Sequence, residues 1–559
     1  MRRLARVLRP ARATTRRASS SLASSSIASA DDDVDDDVDV DKERVFVETY
    51  GCQMNANDSD VVRALLVEAK HAIASSASDA TVVLVNTCAI RENAESRVWT
   101  RLRQLRAERR APGSRLRAVG VLGCMAERLK GKILSAEEGL ADMVVGPDAY
   151  RDVVRLLRVA REESDRRRQR ETRANTLDDE DRMNVMLSLD ETYADVFPLR
   201  ADPMSPQAYV SVTRGCDNMC AFCVVPFTRG RERSRPFESV LEECRKLIDQ
   251  GVKEITLLGQ NVNSYADASE VGTSAKTDAD APFGAYAKGF TSVYKPKRVG
   301  ARAFADLVEA VAAIDVECRV RFTSPHPKDF PDDLLRVIAN TPNVCKQLHM
   351  PAQSGSTSTL ERMRRGYTRE AYLELIERAR EIIPGVAISS DFISGFCGES
   401  EDEHAETLTL LETVRYEHAY MFHYSRRDKT YAARHFDDDV PEEVKKRRLA
   451  EVIETFRRCA TDVNAREVGC THLVLIEGAS KKNPESQMSG RSDTGKRVVV
   501  QGKRTKANAL DGDSEEVDIK SGDYVVAKIV EAGASTLVAE PVGVTTARAF
   551  YEAHGGAWF

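Results

Sequence analysis

The sequence predicts an α/β protein with three successive folds: an N-terminal doubly wound parallel sheet, a partial, TIM-like (β/α)6 barrel and a small C-terminal β-barrel. Short apolar runs alternate with amphipathic helical segments up to about residue 458, which is typical of parallel sheets. Beyond that point, strand patterns separated by Gly and Asp turns replace the helical ones. A chain of 559 residues has room for about three or four domains.

The first 43 residues differ in composition from the rest of the chain. Residues 1–30 hold seven Arg, seven Ser and no acid, which is typical of an organellar transit peptide. Nine acids and one Lys follow between Asp31 and Glu43, and we interpret them as a solvated spacer. A mitochondrial location is expected, with the plastid as the alternative, and a disordered basic arm remains the other interpretation. No run of eighteen apolar residues exists, so no membrane is expected as a partner.

The chain divides into segments by composition and periodicity. In order they are a transit peptide and acidic spacer (1–43), an N-terminal α/β domain (44–160), a charged linker (161–204), a barrel (205–458), a C-terminal β-barrel (459–545) and a tail (546–559). The six barrel strands are predicted at Tyr209–Thr213, Glu254–Leu258, Arg319–Thr323, Lys346–Met350, Ala387–Ile393 and Ala419–Tyr424. Residues from about 266 to 300 are predicted to be a surface insertion in the barrel.

A CxxxCxxC motif follows the first predicted barrel strand. It comprises Cys216, Cys220 and Cys223 within RGCDNMCAFC. Clustered cysteines in a reducing compartment indicate metal ligands rather than disulfides. Three thiolates leave one iron of a 4Fe–4S cluster open, and that iron can chelate the amino and carboxylate groups of S-adenosylmethionine (SAM). The motif is the signature of radical-SAM chemistry, placed at the carboxyl ends of the barrel strands. A zinc site that lacks its fourth ligand is the alternative.

Three further cysteines recur at the ends of predicted strands in the N-terminal domain. Cys52, Cys88 and Cys124 stand in TYGCQMN, NTCAIRENAE and LGCMAER, 36 residues apart. The carboxyl ends of parallel strands lie along one edge of a sheet, so the three thiols are expected to meet there and to hold a second incomplete cluster. Packing in the core is the alternative, because buried cysteines are common. Packing or structural roles are predicted for Cys244, Cys318, Cys345 and Cys397.

Together these motifs resemble the methylthiotransferases of the radical-SAM superfamily over roughly residues 44–545. The resemblance is closest to the tRNA 2-methylthio-isopentenyladenosine synthases and, within them, to the eukaryotic organellar branch. The segments that carry it include ETYGCQMN (48–55), NTCAIRENAE (86–95), CVVPFTRGRERSRP (223–236), LLGQNVNSY (257–265) and RRGYTREAYLELI (364–376). Such proteins have an α/β N-terminal domain, a radical-SAM barrel and an RNA-binding TRAM β-barrel, which is the order predicted here.

The resemblance implies an enzyme and a role for each set of cysteines. Cys216, Cys220 and Cys223 would hold the cluster that cleaves SAM, and the other three would hold an auxiliary cluster that carries or delivers sulfur. The substrate would be isopentenyladenosine on the 3′ side of a tRNA anticodon. One SAM would supply the methyl group and another the radical that removes a hydrogen from the adenine ring. A ferredoxin- or flavodoxin-like electron donor and a sulfur donor are expected as partners.

Four arginines alternate in TRGRERSR, namely Arg229, Arg231, Arg233 and Arg235. In an extended segment, a period of two places all four guanidiniums on one side, where they could contact RNA phosphates or the SAM carboxylate. Ion pairing with acids such as Glu232 or Glu238 is the alternative.

Further residues follow barrel strands and are candidates for the SAM pocket by position alone. They are Gln260, Asn261, Gln353, Ser354, Gly395 and Gly398.

Two other functions compete with this interpretation. A methylthiotransferase could act on threonylcarbamoyladenosine or a ribosomal protein, but CVVPFTRGRERSRP favours the isopentenyladenosine type. A non-catalytic iron–sulfur regulator could bind a protein partner such as a kinase complex, but two complete cysteine triads argue against lost catalysis. The net charge of −6 does not indicate a general nucleic-acid binder, so RNA contacts must come from local basic patches.

Overall fold

The N-terminal part of the described chain forms a parallel sheet with helices on both faces. In the computed structural model, which describes residues 42–89, 92–135, 140–168, 180–267, 286–292 and 302–554, its strands are β1 (Arg44–Tyr50), β2 (Ala72–Ile73), β3 (Val82–Thr87), β4 (Ala118–Gly123), β5 (Met143–Val145) and β6 (Met183–Asn184). Their order is β2-β1-β3-β4-β5-β6, and each neighbouring pair is parallel. The helices are α1 (Gln53–Glu68), α2 (Glu92–Arg110), α3 (Cys124–Leu129), α4 (Gly131–Leu134) and α5 (Val153–Arg168).

The strands of this sheet are apolar on both faces because each face packs against helices. Val82 and Leu84 belong to an apolar core with residues of α1 and α5, whereas Val83 and Val85 belong to a second core with residues of α2. Continuous apolar strands of this kind are expected in a parallel sheet buried on both sides. The predicted doubly wound α/β fold is therefore confirmed.

The middle of the chain forms an incomplete parallel barrel. Its strands and the short pairs around it are β7 (Gln207–Ser211), β8 (Thr213–Arg214), β9 (Arg233–Ser234), β10 (Glu254–Leu258), β11 (Ala266–Asp267), β12 (Arg302–Ala303), β13 (Arg319–Phe322), β14 (Gln347–His349), β15 (Ala387–Ser394) and β16 (His418–His423). The six strands β7, β10, β13, β14, β15 and β16 follow one another in parallel, with a bridge from Val320 to Val344 joining β13 to the start of β14. Each predicted barrel strand lies within two residues of an observed one.

Helices lie between and after the strands of this partial barrel. They are α6 (Val225–Thr228), α7 (Phe237–Asp249), α8 (Phe304–Ala312), α9 (Asp332–Asn340), α10 (Thr357–Arg362), α11 (Arg369–Ile382), α12 (Glu401–Val414), α13 (Tyr431–His435) and α14 (Glu442–Ala465). Within the described residues β16 does not pair with β7, so the barrel stays open at these two edges. The predicted partial (β/α)6 barrel is confirmed.

The last part of the chain is a closed β-barrel. Its elements are β17 (Thr471–Ala479), β18 (Gln487–Arg491), β19 (Arg497–Gln501), β20 (Arg504–Lys506), β21 (Glu516–Asp518), β22 (Tyr524–Ala532), β23 (Thr536–Thr545) and α15 (Ala547–Ala553). The order β19-β18-β17-β22-β23 closes on itself through a parallel pairing of β23 with β19. This five-stranded barrel agrees with the predicted small TRAM β-barrel.

The C-terminal barrel docks on the amino ends of the parallel strands. Arg319 Nη2 donates a hydrogen bond to the Leu473 carbonyl oxygen at 2.7 Å, and Arg321 Nη2 donates one to the Ser492 carbonyl oxygen at 2.6 Å. Asp493 Oδ2 accepts a hydrogen bond from the backbone N–H of Lys346 at 2.9 Å. This docking leaves the carboxyl ends of the strands, where the cysteine loop lies, on the opposite side of the barrel.

Other sequence predictions lie partly outside the described residues. The transit peptide and nearly all of the acidic spacer do so, as do much of the linker and most of the insertion. Residues from Glu43 onward form one compact unit, and α14 continues through the predicted boundary at 458 to Ala465, so the domain limits stay predictions. Among the described residues, no helix combines the length and apolar composition needed to cross a bilayer.

We predict that Asp493→Ala lowers the free energy of unfolding by about 3 kcal/mol, because it removes the carboxylate beside the buried guanidinium of Arg319. Glu485→Ala, at an exposed position between β17 and β18, is the control and should change stability by less than about 0.5 kcal/mol. Chemical denaturation of the full chain, followed by circular dichroism, measures both. Equal stability of the two variants would contradict the docking role of Asp493.

Candidate active site

The register of three neighbouring strands brings Cys52, Cys88 and Cys124 to one edge of the N-terminal sheet. Tyr50 of β1 pairs with Thr87 of β3, and Thr87 pairs with Gly123 of β4. Cys88 and Cys124 directly follow the last two of these residues, and Cys52 lies just beyond the end of β1 as the residue before α1. The sequence-based expectation that strand ends place these thiols together therefore agrees with the observed register.

Two asparagines next to these cysteines tie the loops to each other. Asn55 Nδ2 donates hydrogen bonds to Asn86 Oδ1 and to the Thr87 carbonyl oxygen, both at 3.1 Å, while Asn55 Oδ1 accepts one from the Cys52 N–H at 3.3 Å. Asn86 Nδ2 donates in return to the Asn55 carbonyl oxygen at 3.0 Å. Both side chains are fully buried. Sequence analysis missed this pair, although both residues stand inside the cysteine motifs.

The three thiols differ in their electrostatic surroundings. A hydrogen bond from the Cys88 thiol lowers the pKa of the Cys52 thiol to about 6. Burial raises the pKa of the Cys124 thiol, while the Arg229 guanidinium opposes that shift by donating a hydrogen bond from Nε to Cys124 Sγ at 3.1 Å. One member of this triad therefore favours the thiolate even without a cation, and another lies beside a fixed positive charge.

The CxxxCxxC loop is held at the carboxyl ends of the barrel strands. Gly215 has a φ of +76°, and a Cβ at this position would overlap the backbone of Arg231, so glycine is required directly before Cys216. Gln260, which follows β10, accepts a hydrogen bond from the Gly215 N–H through Oε1 at 2.5 Å. Arg365 Nη1 donates a hydrogen bond to Cys220 Sγ at 3.3 Å. Each contact fixes one end of the loop.

The segment that follows Cys223 packs against the N-terminal triad. Val224, which directly follows Cys223, packs in a small apolar cluster with Cys124 and with Ala89, the neighbour of Cys88. The helices α3 and α6, which begin at and just after these cysteines, also contact each other. Cys124 of one triad therefore packs against the residue that directly follows Cys223 of the other.

The donor set fits iron–sulfur clusters. All six cysteines are outside disulfides. Burial raises the pKa of the Cys216 thiol, and it raises that of Cys223 to about 12, so a bound cation is what would favour their thiolates. Among the described residues, no group of three or more Cys, His, Asp or Glu side chains is arranged around one metal ion. Cluster ligands bind separate irons, so they need not converge on one point.

The SAM-pocket candidates lie where the sequence predicted them, at strand ends on this side of the barrel. Buried polar atoms without a hydrogen-bond partner among the described residues occur here at Gln260 Nε2, Asn261 Oδ1 and Ser394 Oγ, which fits a polar ligand. Asn261 Nδ2 donates to Asp329 at 2.9 Å. The remaining candidates contact protein: Ser354 Oγ lies 3.3 Å from Thr407 Oγ1, Gln353 pairs with Phe392, and the N–H groups of Gly395 and Gly398 donate to Glu399 and Asp439.

The four alternating arginines do not share one side of a strand. Arg229 ends α6 and Gly230 turns with a φ of +71°, so the segment is not extended there. Each arginine lies next to an acid, and the pairs are Arg229 with Asp58, Arg231 with Asp217, Arg233 with Asp148 and Arg235 with Glu243. Only Arg231 of the four is partly exposed, so contacts of the other three with RNA phosphates would need the fold to open.

Comparisons with known proteins first show the class of enzyme to which the chain belongs. Residues 210–411 match the radical SAM superfamily, and residues 44–146 match a family described as "Uncharacterized protein family UPF0004". The chain thus has the barrel and the cysteine loop of a radical SAM enzyme. Among solved structures it is similar to TsrM, a radical S-adenosylmethionine methyltransferase from Kitasatospora setae, with a TM-score of 0.43 and 12% identity over 70% of this chain and 73% of that chain.

Curated relatives define the family within that class. Mitochondrial tRNA methylthiotransferase CDK5RAP1 is 49% identical in Rattus norvegicus, over 89% of this chain and 80% of the relative, and 47% identical in Homo sapiens, over 91% and 83%. The tRNA-2-methylthio-N(6)-dimethylallyladenosine synthase of Chloroherpeton thalassium is 44% identical over 89% of this chain and 96% of its own length. The chain belongs to the tRNA methylthiotransferase family of radical SAM enzymes. The predicted family and cofactors, SAM and two 4Fe–4S clusters, are confirmed.

We predict that Gly123→Ala prevents the N-terminal triad from holding a cluster. Gly123 has a φ of +89°, and a Cβ there would lie 2.5 Å from Asn86 Oδ1 and 2.6 Å from the Thr87 carbonyl oxygen, so the start of α3 and Cys124 must move. Anaerobically reconstituted protein should bind about half of the normal iron and still cleave SAM. Iron and sulfide analysis measures this.

Gly113→Ala is the matched control for this prediction. Its φ of +79° imposes a similar backbone strain, but nothing lies within 4 Å of the added Cβ. The control should bind the full amount of iron. The same iron content in both variants would show that Gly123 does not position Cys124.

Proposed function

We propose that this protein converts N6-isopentenyladenosine in tRNA to its 2-methylthio derivative. In this proposal Cys216, Cys220 and Cys223 hold the cluster that binds SAM, and Cys52, Cys88 and Cys124 hold the auxiliary cluster. The substrate follows from the relatives named for tRNA methylthiotransfer and for 2-methylthio-N(6)-dimethylallyladenosine synthesis. These names do not favour a threonylcarbamoyladenosine or ribosomal-protein substrate, nor a regulator without catalysis.

The observation that carries the proposal is the packing of Val224, the residue directly after Cys223, against Cys124 of the other triad. When bound, SAM at the first triad supplies a carbon radical, and the cluster at the second supplies sulfur. Sulfur insertion needs both groups to face one substrate carbon, so two triads far apart could not share the reaction. The packing of Val224 on Cys124 and Ala89 keeps the triads adjacent.

The residues around the triads position the cysteine loops. Gln260 and Gly215 fix the loop at Cys216, and Arg365 holds Cys220. Asn55 and Asn86 lock the loops of the second triad. Asn55, Asn86 and Arg365 are buried, so their contacts are shielded from solvent, whereas Cys52 is exposed.

The open carboxyl side of the barrel supports a macromolecular substrate. Because the C-terminal barrel docks at the amino side, it does not cover the cysteine loops. A tRNA could therefore contact the C-terminal barrel and present its adenosine to the triads at the same time. A ferredoxin- or flavodoxin-like electron donor and a sulfur donor complete the reaction, while a regulatory protein partner stays a prediction. The relatives named as mitochondrial support the mitochondrial location.

The test is a nucleoside analysis after anaerobic reconstitution with iron and sulfide. With SAM, a reductant and tRNA that bears isopentenyladenosine, the digested tRNA should contain its methylthio derivative. Cys216→Ala should abolish both the product and SAM cleavage, because it removes a ligand of the SAM-binding cluster. Cys88→Ala should abolish the product but keep SAM cleavage, because it affects the auxiliary cluster alone.

Cys470→Ala is the control, since Cys470 is exposed and lies between α14 and the C-terminal barrel. It should form the product at the wild-type rate. SAM cleavage without any change in isopentenyladenosine would contradict the substrate. A product from the Cys88→Ala variant would contradict the assignment of the auxiliary cluster.

A further inference from the structure

The guanidinium of Arg229 contacts both a cluster thiol and a buried acid. Its Nε donates a hydrogen bond to Cys124 Sγ at 3.1 Å, and its Nη2 donates one to Asp58 Oδ2 at 2.6 Å. The side chain is almost fully buried. Its third nitrogen, Nη1, is buried and has no hydrogen-bond partner in the described part of the chain. One donor of this arginine therefore remains available beside the N-terminal triad.

Asp58 fixes the position of this guanidinium from the other side. It lies on α1 with no exposed surface, and it also accepts hydrogen bonds from Arg214 Nη1 at 2.9 Å and from the Tyr150 hydroxyl at 3.1 Å. Three donors from separate elements thus converge on one carboxylate. Arg229 cannot rotate away from Cys124 without breaking an ion pair in the interior.

The other triad has a similar contact with a different charge balance. Arg365 Nη1 donates to Cys220 Sγ at 3.3 Å, Nη2 donates to the Pro351 carbonyl oxygen at 2.8 Å, and Nε donates to the Tyr367 hydroxyl at 3.0 Å. No carboxylate of the described residues pairs with Arg365. Each triad therefore has one thiol beside a buried arginine, but only the arginine next to Cys124 is paired with a carboxylate, which it shares with Arg214.

Hydrogen bonds and positive charge at a ligand sulfur change the reduction potential of an iron–sulfur cluster. A cluster that gains one electron becomes more negative, so a nearby guanidinium stabilises the reduced form and raises the potential. A carboxylate paired with that guanidinium weakens the effect. Arg229, which is paired with Asp58, should therefore raise the reduction potential of its cluster less than Arg365 raises that of the other cluster.

We propose that Arg229 is a positioning residue for the auxiliary cluster, and that the Arg229–Asp58 pair sets the reduction potential of that cluster independently of the SAM-binding cluster. The proposal rests on the proposed function, in which Cys52, Cys88 and Cys124 hold the auxiliary cluster. Arg229 Nε orients the Cys124 thiolate, and Nη1 is the donor available to a sulfur of the cluster. Arg365 has the corresponding position at Cys220.

A purely structural role is the alternative to this proposal. Arg229 and Asp58 connect the segment after Cys223 to α1, so the pair also joins the barrel to the N-terminal sheet. If the Arg229–Asp58 pair had only this structural role, substitutions would weaken the packing of the site without a defined change in the reduction potential of either cluster. The sign of the change in potential separates the two interpretations.

The experiment is a redox titration of the anaerobically reconstituted full chain, followed by electron paramagnetic resonance of each reduced cluster. Adding SAM changes the signal of the cluster that binds it and so distinguishes the two signals. Arg229→Lys should lower the potential of the auxiliary cluster, because one ammonium cannot serve both Asp58 and Cys124 as the planar guanidinium does. We expect at least a tenfold shift of the equilibrium toward the oxidised form, which is about 59 mV for one electron.

Asp58→Asn is the second variant, and its expected shift has the opposite sign. The amide keeps one acceptor oxygen, which can still bond Arg229, but it no longer neutralises the charge of Arg229, so the potential of the auxiliary cluster should rise. Arg365→Lys is the matched control and should lower the potential of the SAM-binding cluster alone. Opposite shifts of the auxiliary cluster in the first two variants, with the other cluster unchanged, are the expected result.

Several results would overturn the proposal. Shifts of the same sign in Arg229→Lys and Asp58→Asn, or no shift in either, would make the pair purely structural. If the Arg229→Lys variant does not retain the auxiliary cluster, the Asp58→Asn variant tests the proposal alone. An unchanged or lowered reduction potential of the auxiliary cluster in Asp58→Asn then overturns the proposal. Retention of both clusters by Cys124→Ala would instead refute the ligand assignment of the proposed function, and this inference with it.

Discussion

The buried carboxylate of Asp58 joins the two halves of the site. Burial opposes its ionisation, but the guanidiniums of Arg229 and Arg214 lower its pKa below the ordinary value. Arg214 and Arg229 flank the CxxxCxxC loop in the sequence, whereas Asp58 belongs to the helix that begins beside Cys52. Buried ion pairs often add little net stability, but losing one partner is costly. Asp58 therefore specifies how the N-terminal sheet and the barrel meet.

Much of the fold could be predicted from local patterns in the sequence. Short apolar runs such as Val82–Asn86 and Ala118–Gly123 indicate strands buried on both faces, and the observed strands, Val82–Thr87 and Ala118–Gly123, end within one residue of these runs. Cys52, Cys88 and Cys124 were predictable for the same reason, because each lies within two residues of the end of such a strand. A parallel sheet then aligns the strand ends without further information.

The contacts that orient the thiols could not be predicted in this way. Arg229 meets Cys124 across 105 positions and Asp58 across 171, and periodicity carries no information about such distant partners. The alternation of arginines suggested one extended face, but the turn at Gly230 separates Arg229 from Arg233. Asn55 and Asn86 are similar, because two asparagines in different motifs give no sign that they bond to each other.

The docking of the C-terminal barrel fixes the distance between that barrel and the cysteine loops. Its contacts with Arg319 and Arg321 fix it at the amino ends of the parallel strands, while the cysteine loops lie at their carboxyl ends. The eight residues of β15 span about 23 Å between these two levels. An RNA that contacts both the C-terminal barrel and the cysteine loops must bridge that length. A nucleotide in a short fragment held at the C-terminal barrel would therefore not reach the cysteine loops. Selection among RNAs then depends on their shape as well as on the base that is modified.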